Sequence, residues 1–220
     1  MPRLQSLELC SGSTPDAAII WLHGLGADGY DFAPVVETLQ PLPHIRFVLP
    51  HAPERAVTIN AGYLMPAWYD IYGMNLTDRH DDAGIRESQA QIEKLIAHER
   101  ARGIPANRIA LAGFSQGGAI ALHTGLRHAE RLAGILALST YLPLHDRLAT
   151  ERSAANLDTP IFMAHGSDDD IIPLHAAAAS ARFLQQSGHA VEWHEYPMPH
   201  SLCQEEIADI AAFLARILPA

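Results

Sequence analysis

The stretch LAGFSQGGAIAL, residues 111–122, decides the fold. An apolar run, residues 109–111, ends at this point, and a stretch of small and apolar residues with helical character follows Ser115. Ser115 lies between Gly113 and Gly117 in the pattern G-x-S-x-G. A sharp turn from a strand into a helix strains its central residue and leaves no room for side chains on either flank. The stretch therefore predicts a strand–turn–helix unit that exposes a serine oxygen.

Short apolar runs recur along the chain and alternate with stretches of helical period. They occupy residues 17–22, 45–49, 109–112, 134–138, 161–164 and 191–196. Helical patterns follow Asp81 or Asp82, run from Pro173 to Gly188, and return near the end of the sequence. Residues 4–9 alternate in polarity like an exposed antiparallel edge strand. The alternation predicts an α/β fold with a mostly parallel sheet and helices on both faces.

Composition narrows the class of protein. The 220 residues are 48% hydrophobic, which suits a single domain over residues 1–220. An excess of 25 Asp and Glu over 15 Lys and Arg, without a basic cluster, disfavours binding of nucleic acid or anionic membranes. No apolar leader or membrane-length apolar run is present, so we expect a soluble, cytoplasmic protein without integral membrane association. Cys10 and Cys203 do not form a disulfide framework, and the 13 histidines include no helical metal-binding pair.

Residues 51–82 break the alternating pattern. They show no period of a helix or strand, yet they contain Tyr63, Met65, Trp68, Tyr69, Tyr72 and Met74. So long a loop in a compact domain is often functional, as a lid or a pocket wall. A packed irregular insertion is an equally good interpretation, and both can hold together.

Polar residues follow three of the predicted strands in the order serine, aspartate, histidine. Ser115 follows residues 109–112; HGSDDDIIP, with Asp168, Asp169 and Asp170, follows 161–164; and PMPHSL, with His200, follows 191–196. Each segment alone is typical of a turn, a helix cap or a surface loop. A serine hydroxyl needs a base, and the base needs an orienting group, so the joint pattern indicates nucleophilic catalysis. The chain order is that of α/β-hydrolases.

A second motif competes with this interpretation. GLGADG, residues 24–29, matches the dinucleotide fingerprint G-x-G-x-x-G after the strand 17–22 and so suggests an oxidoreductase. That function also needs an acidic residue at the end of the second strand, where this chain has Leu49, Pro50 and His51. We therefore favour the alternative, in which the loop supplies a backbone N–H to an oxyanion hole. A non-catalytic binding protein is disfavoured because all three triad residues are present.

The motifs together resemble the carboxylesterase and acyl-protein thioesterase family of small α/β-hydrolases, in particular the compact bacterial carboxylesterases. The resemblance rests on WLHGLGADG, MPAWYDI, GIPANRIALAGFSQGGAIAL, LSTYLP, HGSDDDIIP and the PH before Ser201. It implies an α/β-hydrolase fold with Ser115 as nucleophile, His200 as base and Asp169 as orienting group. Asp169 is chosen because the family's aspartate stands four residues after the histidine of H-G and four before the proline. The resemblance also implies an oxyanion hole made by the main-chain N–H groups of Leu25 and Gln116.

The activity that the resemblance implies is hydrolysis of carboxylic esters with short to medium acyl chains. Acyl-protein thioesterase or lysophospholipase activity at the same site is the alternative. The substrate is then a small-molecule or lipid ester, no metal or organic cofactor is needed, and a homodimer is expected because several members of the family are dimers. We predict that Leu25 lines the acyl pocket with Tyr63, Met65 and Trp68.

Overall fold

The computed structural model describes residues 3–10, 12, 14–39, 44–73 and 80–220, and they contain a seven-stranded sheet with the strand order β1-β3-β2-β6-β7-β8-β9. The strands of this sheet are β1 (Ser6–Cys10), β2 (Ala17–Leu22), β3 (Ile45–Pro50), β6 (Ile109–Phe114), β7 (Gly134–Leu138), β8 (Ile161–Gly166) and β9 (Val191–Tyr196). Only β1 is antiparallel to its neighbour, with Ser6 opposite Pro50 and Cys10 opposite Arg46. The other neighbouring pairs are parallel.

Burial of the strands explains why the sequence pattern predicts this sheet. Every residue of β2, β7 and β8 is buried, as expected for parallel strands that are covered on both faces. The edge strand β1 alternates between half-buried and exposed residues. The predicted mostly parallel sheet is therefore confirmed, and β3, β6 and β8 extend one or two residues beyond the predicted runs.

Helices cover both faces of the sheet. They are α1 (Ala33–Thr38), α2 (Asp82–Ala101), α3 (Gln116–Gly125), α4 (Leu148–Glu151), α5 (Leu174–Gln186) and α6 (Gln204–Ile217). The core on one face includes apolar residues of α2, α3 and α5, and the core on the other includes those of α1 and α6. Asp81 begins α2 because its carboxylate accepts the N–H of Gly84. Within the described residues, no helix is both long and apolar enough to span a bilayer.

The segment predicted to lack regular structure contains a small hairpin. Strands β4 (Glu54–Val57) and β5 (Tyr63–Pro66) pair antiparallel around a 3₁₀ turn, Thr58–Asn60. The prediction of an irregular loop over residues 51–82 is therefore wrong for this part. Two strands of four residues contain too few alternations for a period of two to stand out. Met74 lies outside the described residues.

Candidate active site

Ser115 occupies a strained turn between β6 and α3. Its backbone has φ 55° and ψ −121°, a conformation that is unfavourable in free energy for any residue with a side chain. The turn is fixed by two hydrogen bonds: Ser115 N–H donates to the carbonyl oxygen of Leu138 at 2.8 Å, and Thr140 Oγ1 donates to that of Ser115 at 2.6 Å. The strain is therefore held by the neighbouring strand β7 and the loop after it.

Gly113 and Gly117 are each required for a different steric reason. A Cβ on Gly113 would overlap the backbone of Gly117. A Cβ on Gly117 would overlap the carbonyl oxygens of Leu22 and His23, at the end of β2. The glycines thus let the start of α3 approach both its own strand and the adjacent strand, which is the packing that the sequence pattern predicts.

The three aspartates after β8 have different environments. Asp168 and Asp170 are exposed, whereas the side chain of Asp169 is 0% exposed and its Oδ2 lies 2.7 Å from His200 Nδ1. Asp169 Oδ1 accepts the N–H groups of Ile171 at 2.9 Å and Ile172 at 2.8 Å. Because a carboxylate only accepts, the proton lies on His200 Nδ1 and leaves Nε2 free to take another. The structure thus brings together Asp169 and His200.

His165 forms a further contact with this carboxylate. Its Nε2 donates to the carbonyl oxygen of Ile172 at 2.8 Å and lies 3.2 Å from Asp169 Oδ2. Burial lowers the pKa of His165, so the ring is neutral at pH 7. Its Nδ1 has no partner in the described part of the chain, which places the proton on Nε2. His165 is the histidine of H-G that locates Asp169 in the sequence, and its contact with the carboxylate was not predicted.

Two backbone N–H groups near Ser115 are available to a ligand. Across the described ranges, the N–H groups of Leu25 and Gln116 donate to no acceptor in the protein. Gln116 begins α3, and the positive end of the helix dipole lies there. Such a pair of donors is what stabilises the negative oxygen of a tetrahedral intermediate.

Residues 51–73, which we call the bracing segment, hold the loop that carries Leu25. Pro66 accepts the N–H of Gly26 at 2.9 Å. His23, just before the loop, accepts the N–H of Ala52 on Nε2 at 3.0 Å, and its Nδ1 donates to Gly24 at 2.7 Å. Burial lowers the pKa of His23, which keeps Nε2 an acceptor at neutral pH.

The side chain of Gln116 ties the bracing segment to α3. Its Oε1 accepts the N–H of Trp68, and its Nε2 donates to the carbonyl oxygen of Tyr69, both at 2.7 Å. Trp68 Nε1 also donates to the carbonyl oxygen of His23 at 2.8 Å. From the sequence, only the backbone N–H of Gln116 was predicted to have a role. A glutamine directly before the small and apolar run of residues 117–122 is the signal that could have pointed to this contact.

Two cavities meet at Ser115. The narrow cavity, about 250 Å³, is lined by apolar and aromatic side chains and by Asn60, Ser115 and Gln116. The wide cavity, about 570 Å³, is lined by His200, Asp31 and mostly apolar side chains. Leu25 and Ile171 line both cavities. The narrow cavity contains a buried pair of hydroxyls, Tyr69 and Tyr141, whose oxygens lie 2.9 Å apart; burial raises the pKa of Tyr141 to about 12.

The structure corrects the predicted pocket wall. Trp68 is 0% exposed and lies in the core, because its backbone and indole nitrogen are bound to Gln116 and His23. Tyr63 is 70% exposed on the β4–β5 hairpin. Neither these residues nor Met65 belongs to the described lining of the two cavities, whereas Leu25 does.

The dinucleotide interpretation of residues 24–29 finds no support in the geometry. The strand β3 ends at Pro50, and the next residue, His51, accepts the N–H of Gly29 on Nδ1 at 3.2 Å. A ribose-binding carboxylate is missing from this strand end in the described part of the chain. The structure thus places a histidine where the fingerprint requires an acid.

One cluster outside the site has ligand atoms spaced as a metal requires. Atoms of Glu8, His98 and Glu99 lie within 4.8 Å of one another. Glu99 pairs with Arg46 at 2.6 Å, and Arg102 pairs with Glu8 at 2.8 Å. The arginines already neutralise both carboxylates, so the cluster is an ion-pair network.

Comparison with known proteins identifies the family of the chain. The family model described as phospholipase/carboxylesterase matches residues 8–218. Acyl-protein thioesterase 1 of Mycosarcoma maydis is 41% identical over 96% of this chain and 95% of its own length, and that of Neurospora crassa is 42% identical over 92% and 87%. The crystal structure of Zea mays acyl-protein thioesterase 2 has a TM-score of 0.86 at 28% identity, covering 97% of this chain and 99% of its own. The chain therefore belongs to the phospholipase/carboxylesterase family and is an α/β hydrolase.

Proposed function

We propose that the protein hydrolyses carboxylic esters of short to medium acyl chain, with Ser115, His200 and Asp169 as its catalytic triad. The observation that supports this most directly is the buried contact of 2.7 Å between Asp169 Oδ2 and His200 Nδ1 beside the strained Ser115. Ser115 and His200 line the same wide cavity, where an ester can reach both. The two unoccupied N–H groups, of Leu25 and Gln116, serve as the oxyanion hole.

The reaction proceeds through an acyl-enzyme. His200 Nε2 takes the proton of Ser115 Oγ while that oxygen bonds to the carbonyl carbon, and negative charge moves to the carbonyl oxygen. The bond to the leaving atom then breaks, and His200 gives its proton to that atom. Water repeats the cycle: its proton passes to His200, its oxygen bonds to the acyl carbon, and Ser115 recovers its proton as the acid departs. Asp169 stabilises the His200 cation throughout.

A second candidate is acyl-protein thioesterase activity at the same site. The relatives named above are called acyl-protein thioesterases and are 41% and 42% identical to this chain. The triad chemistry is the same, because sulfur replaces oxygen only as the leaving atom. The two candidates therefore differ in the leaving group and share the nucleophile.

Labelling and turnover test the proposal together. A fluorophosphonate should add one group per chain, on the peptide that contains Ser115, and Ser115→Ala should lose at least about 10⁴-fold in kcat. Hydrolysis rates of matched esters and thioesters, from acetyl to palmitoyl, decide between the two candidates. Labelling at Ser139 or Ser201, or normal turnover by Ser115→Ala, would contradict the assignment.

A further inference from the structure

We propose that the wide cavity receives the leaving group and that Asp31 favours leaving groups with a positive charge. This inference rests on the proposed function. It concerns a residue that plays no part in the triad or in the oxyanion hole. It identifies the substrate class as esters or thioesters that join a neutral acyl chain to a cationic alcohol or thiol.

The position of His200 assigns the two cavities. A general acid must reach the leaving atom to protonate it, so the leaving group lies on the side of the histidine. His200 lines the wide cavity and is absent from the described lining of the narrow one. The narrow cavity contains Gln116, whose N–H belongs to the proposed oxyanion hole, and side chains such as Ile59, Ile71 and Tyr141. The acyl chain therefore occupies the narrow cavity, and the alcohol or thiol occupies the wide one.

The two cavities differ in charge. Within its described lining, the narrow cavity has no ionisable acid or base apart from two tyrosines, Tyr69 and Tyr141, whose pKa values burial raises. Asp31 lines the wide cavity, and the other described lining residues have uncharged side chains, apart from His200. Charge on a substrate thus affects binding mainly on the leaving-group side.

The carboxylate of Asp31 is available to a substrate cation. Asp31 is exposed, and in the described part of the chain its carboxylate forms no ion pair and accepts no hydrogen bond. Its neighbour Asp28 adds a second negative charge, although one oxygen accepts the N–H of Tyr30 at 2.7 Å. The nearby His23 stays neutral because burial lowers its pKa. The net charge of −10 adds an attractive long-range field for cations.

Matched substrate pairs test the inference. One pair is the octanoyl ester of choline and its neutral isostere, the 3,3-dimethylbutyl ester. The other is an S-octanoyl cysteine peptide with lysine beside the cysteine and the same peptide with norleucine there. The measured quantity is the ratio of kcat/KM for the cationic substrate to that for the neutral one, because this ratio cancels differences in expression and folding.

Asp31→Asn should lower the cationic-to-neutral ratio about fivefold at low salt in at least one pair, and Asp31→Lys should lower it further. The pair with the larger shift identifies whether a small ammonium alcohol or a basic peptide is preferred. The preference of the wild type should also fade at 0.5 M NaCl, since about 3 to 5 Å of screening length remains there. The matched control is Glu37→Gln, an equal change of charge on an exposed residue of α1 outside both cavities, which should leave the ratio unchanged.

Equal ratios in the wild type, Asp31→Asn and Glu37→Gln would overturn the inference while leaving the proposed function intact. An equal fall in both variants would also overturn it, because the effect would then come from net charge alone. Failure of the wild type to hydrolyse any of the four substrates would instead count against the proposed function.

Discussion

Two regions of the molecule meet at Ser115, and they contribute in different ways. The first consists of the loops at the carboxyl ends of β2, β6, β8 and β9, which carry Leu25, Ser115, Asp169 and His200. The second is the bracing segment, residues 51–73, which contributes hydrogen bonds to the first. In the first region the side chains and backbone groups suited to the reaction are presented by the sheet. In the second, mainly backbone groups form hydrogen bonds that fix the loop of Leu25 and the start of α3 in position.

The difference is one of range. The sequence signals of the first region are short-range. The Ser115 turn, although it also bonds to Leu138 and Thr140, requires glycines two residues away on either side, and Asp169 Oδ1 accepts N–H groups two and three residues further on. The bracing segment acts over long separations, since Trp68 binds His23 and Gln116, 45 and 48 residues away. Local patterns therefore encode the first region, and only the folded chain reveals the second.

The largest effect should come from the carboxylate of the first region that we propose as the orienting group. Asp169→Asn should lower kcat by about 10⁴, because the amide favours the wrong tautomer of His200 and no longer stabilises its cation. Asp168→Asn is the matched control, since Asp168 is exposed and we expect a loss of less than about tenfold. Steady-state kinetics on a neutral ester measure both variants. A dead Asp168→Asn variant beside an active Asp169→Asn variant would show that the orienting group is misassigned.

Replacing a glycine should cost much more stability in the first region than in the second. Gly117→Ala should lower the free energy of unfolding by about 3 kcal/mol, because the new Cβ meets backbone carbonyl oxygens of Leu22 and His23 that cannot move aside. Gly73→Ala, at the end of the bracing segment, should change it by less than about 0.5 kcal/mol, because its Cβ would meet nothing within 4 Å among the described residues. Urea denaturation of both variants checks this. Equal costs would mean that the Ser115 turn is not uniquely constrained.

Most of the fold and the residues of the first region could be predicted from the sequence, and for the same physical reason. Buried parallel strands are continuous apolar runs, and the Ser115 turn leaves glycines in a fixed pattern, so both features are local. The β4–β5 hairpin was not predicted because its strands are four residues long and β5 ends at Pro66. The buried position of Trp68 was not predicted because an aromatic residue in an irregular stretch is equally compatible with a pocket wall and with the core. Its hydrogen bonds to distant residues decide between them.

Breaking the link between the regions should have an intermediate effect. Gln116→Met keeps the side-chain volume but leaves the N–H of Trp68 and the carbonyl oxygen of Tyr69 buried without partners. We expect a loss of about 2 kcal/mol in the free energy of unfolding. The control is Gln185→Met, because Gln185 is exposed and its Nε2 donates to Val191 at only 3.3 Å. If chemical denaturation shows the same loss for both variants, the bracing contact adds nothing beyond an ordinary surface hydrogen bond.

The smallest effect concerns His23, which joins the two regions through a neutral ring. Burial lowers its pKa in the folded protein below the value near 6.5 of the unfolded chain, so the unfolded state binds more protons in mildly acidic solution. The contribution of His23 to stability is therefore present above pH 6.5 and is lost as pH falls from there towards the lowered pKa.

His23→Gln has no proton to gain in this range. Its cost in unfolding free energy relative to the wild type should therefore shrink by about 1 kcal/mol between pH 7.5 and pH 5.5. Other histidines titrate in both proteins and cancel in the difference. The control is His175→Gln, which makes the same replacement at an exposed histidine outside both regions. A cost of His23→Gln that does not vary with pH would mean that the His23 ring binds protons equally well in the folded and unfolded states. Nε2 would then not be the acceptor of the Ala52 N–H, and the tautomer assigned to His23 would be wrong.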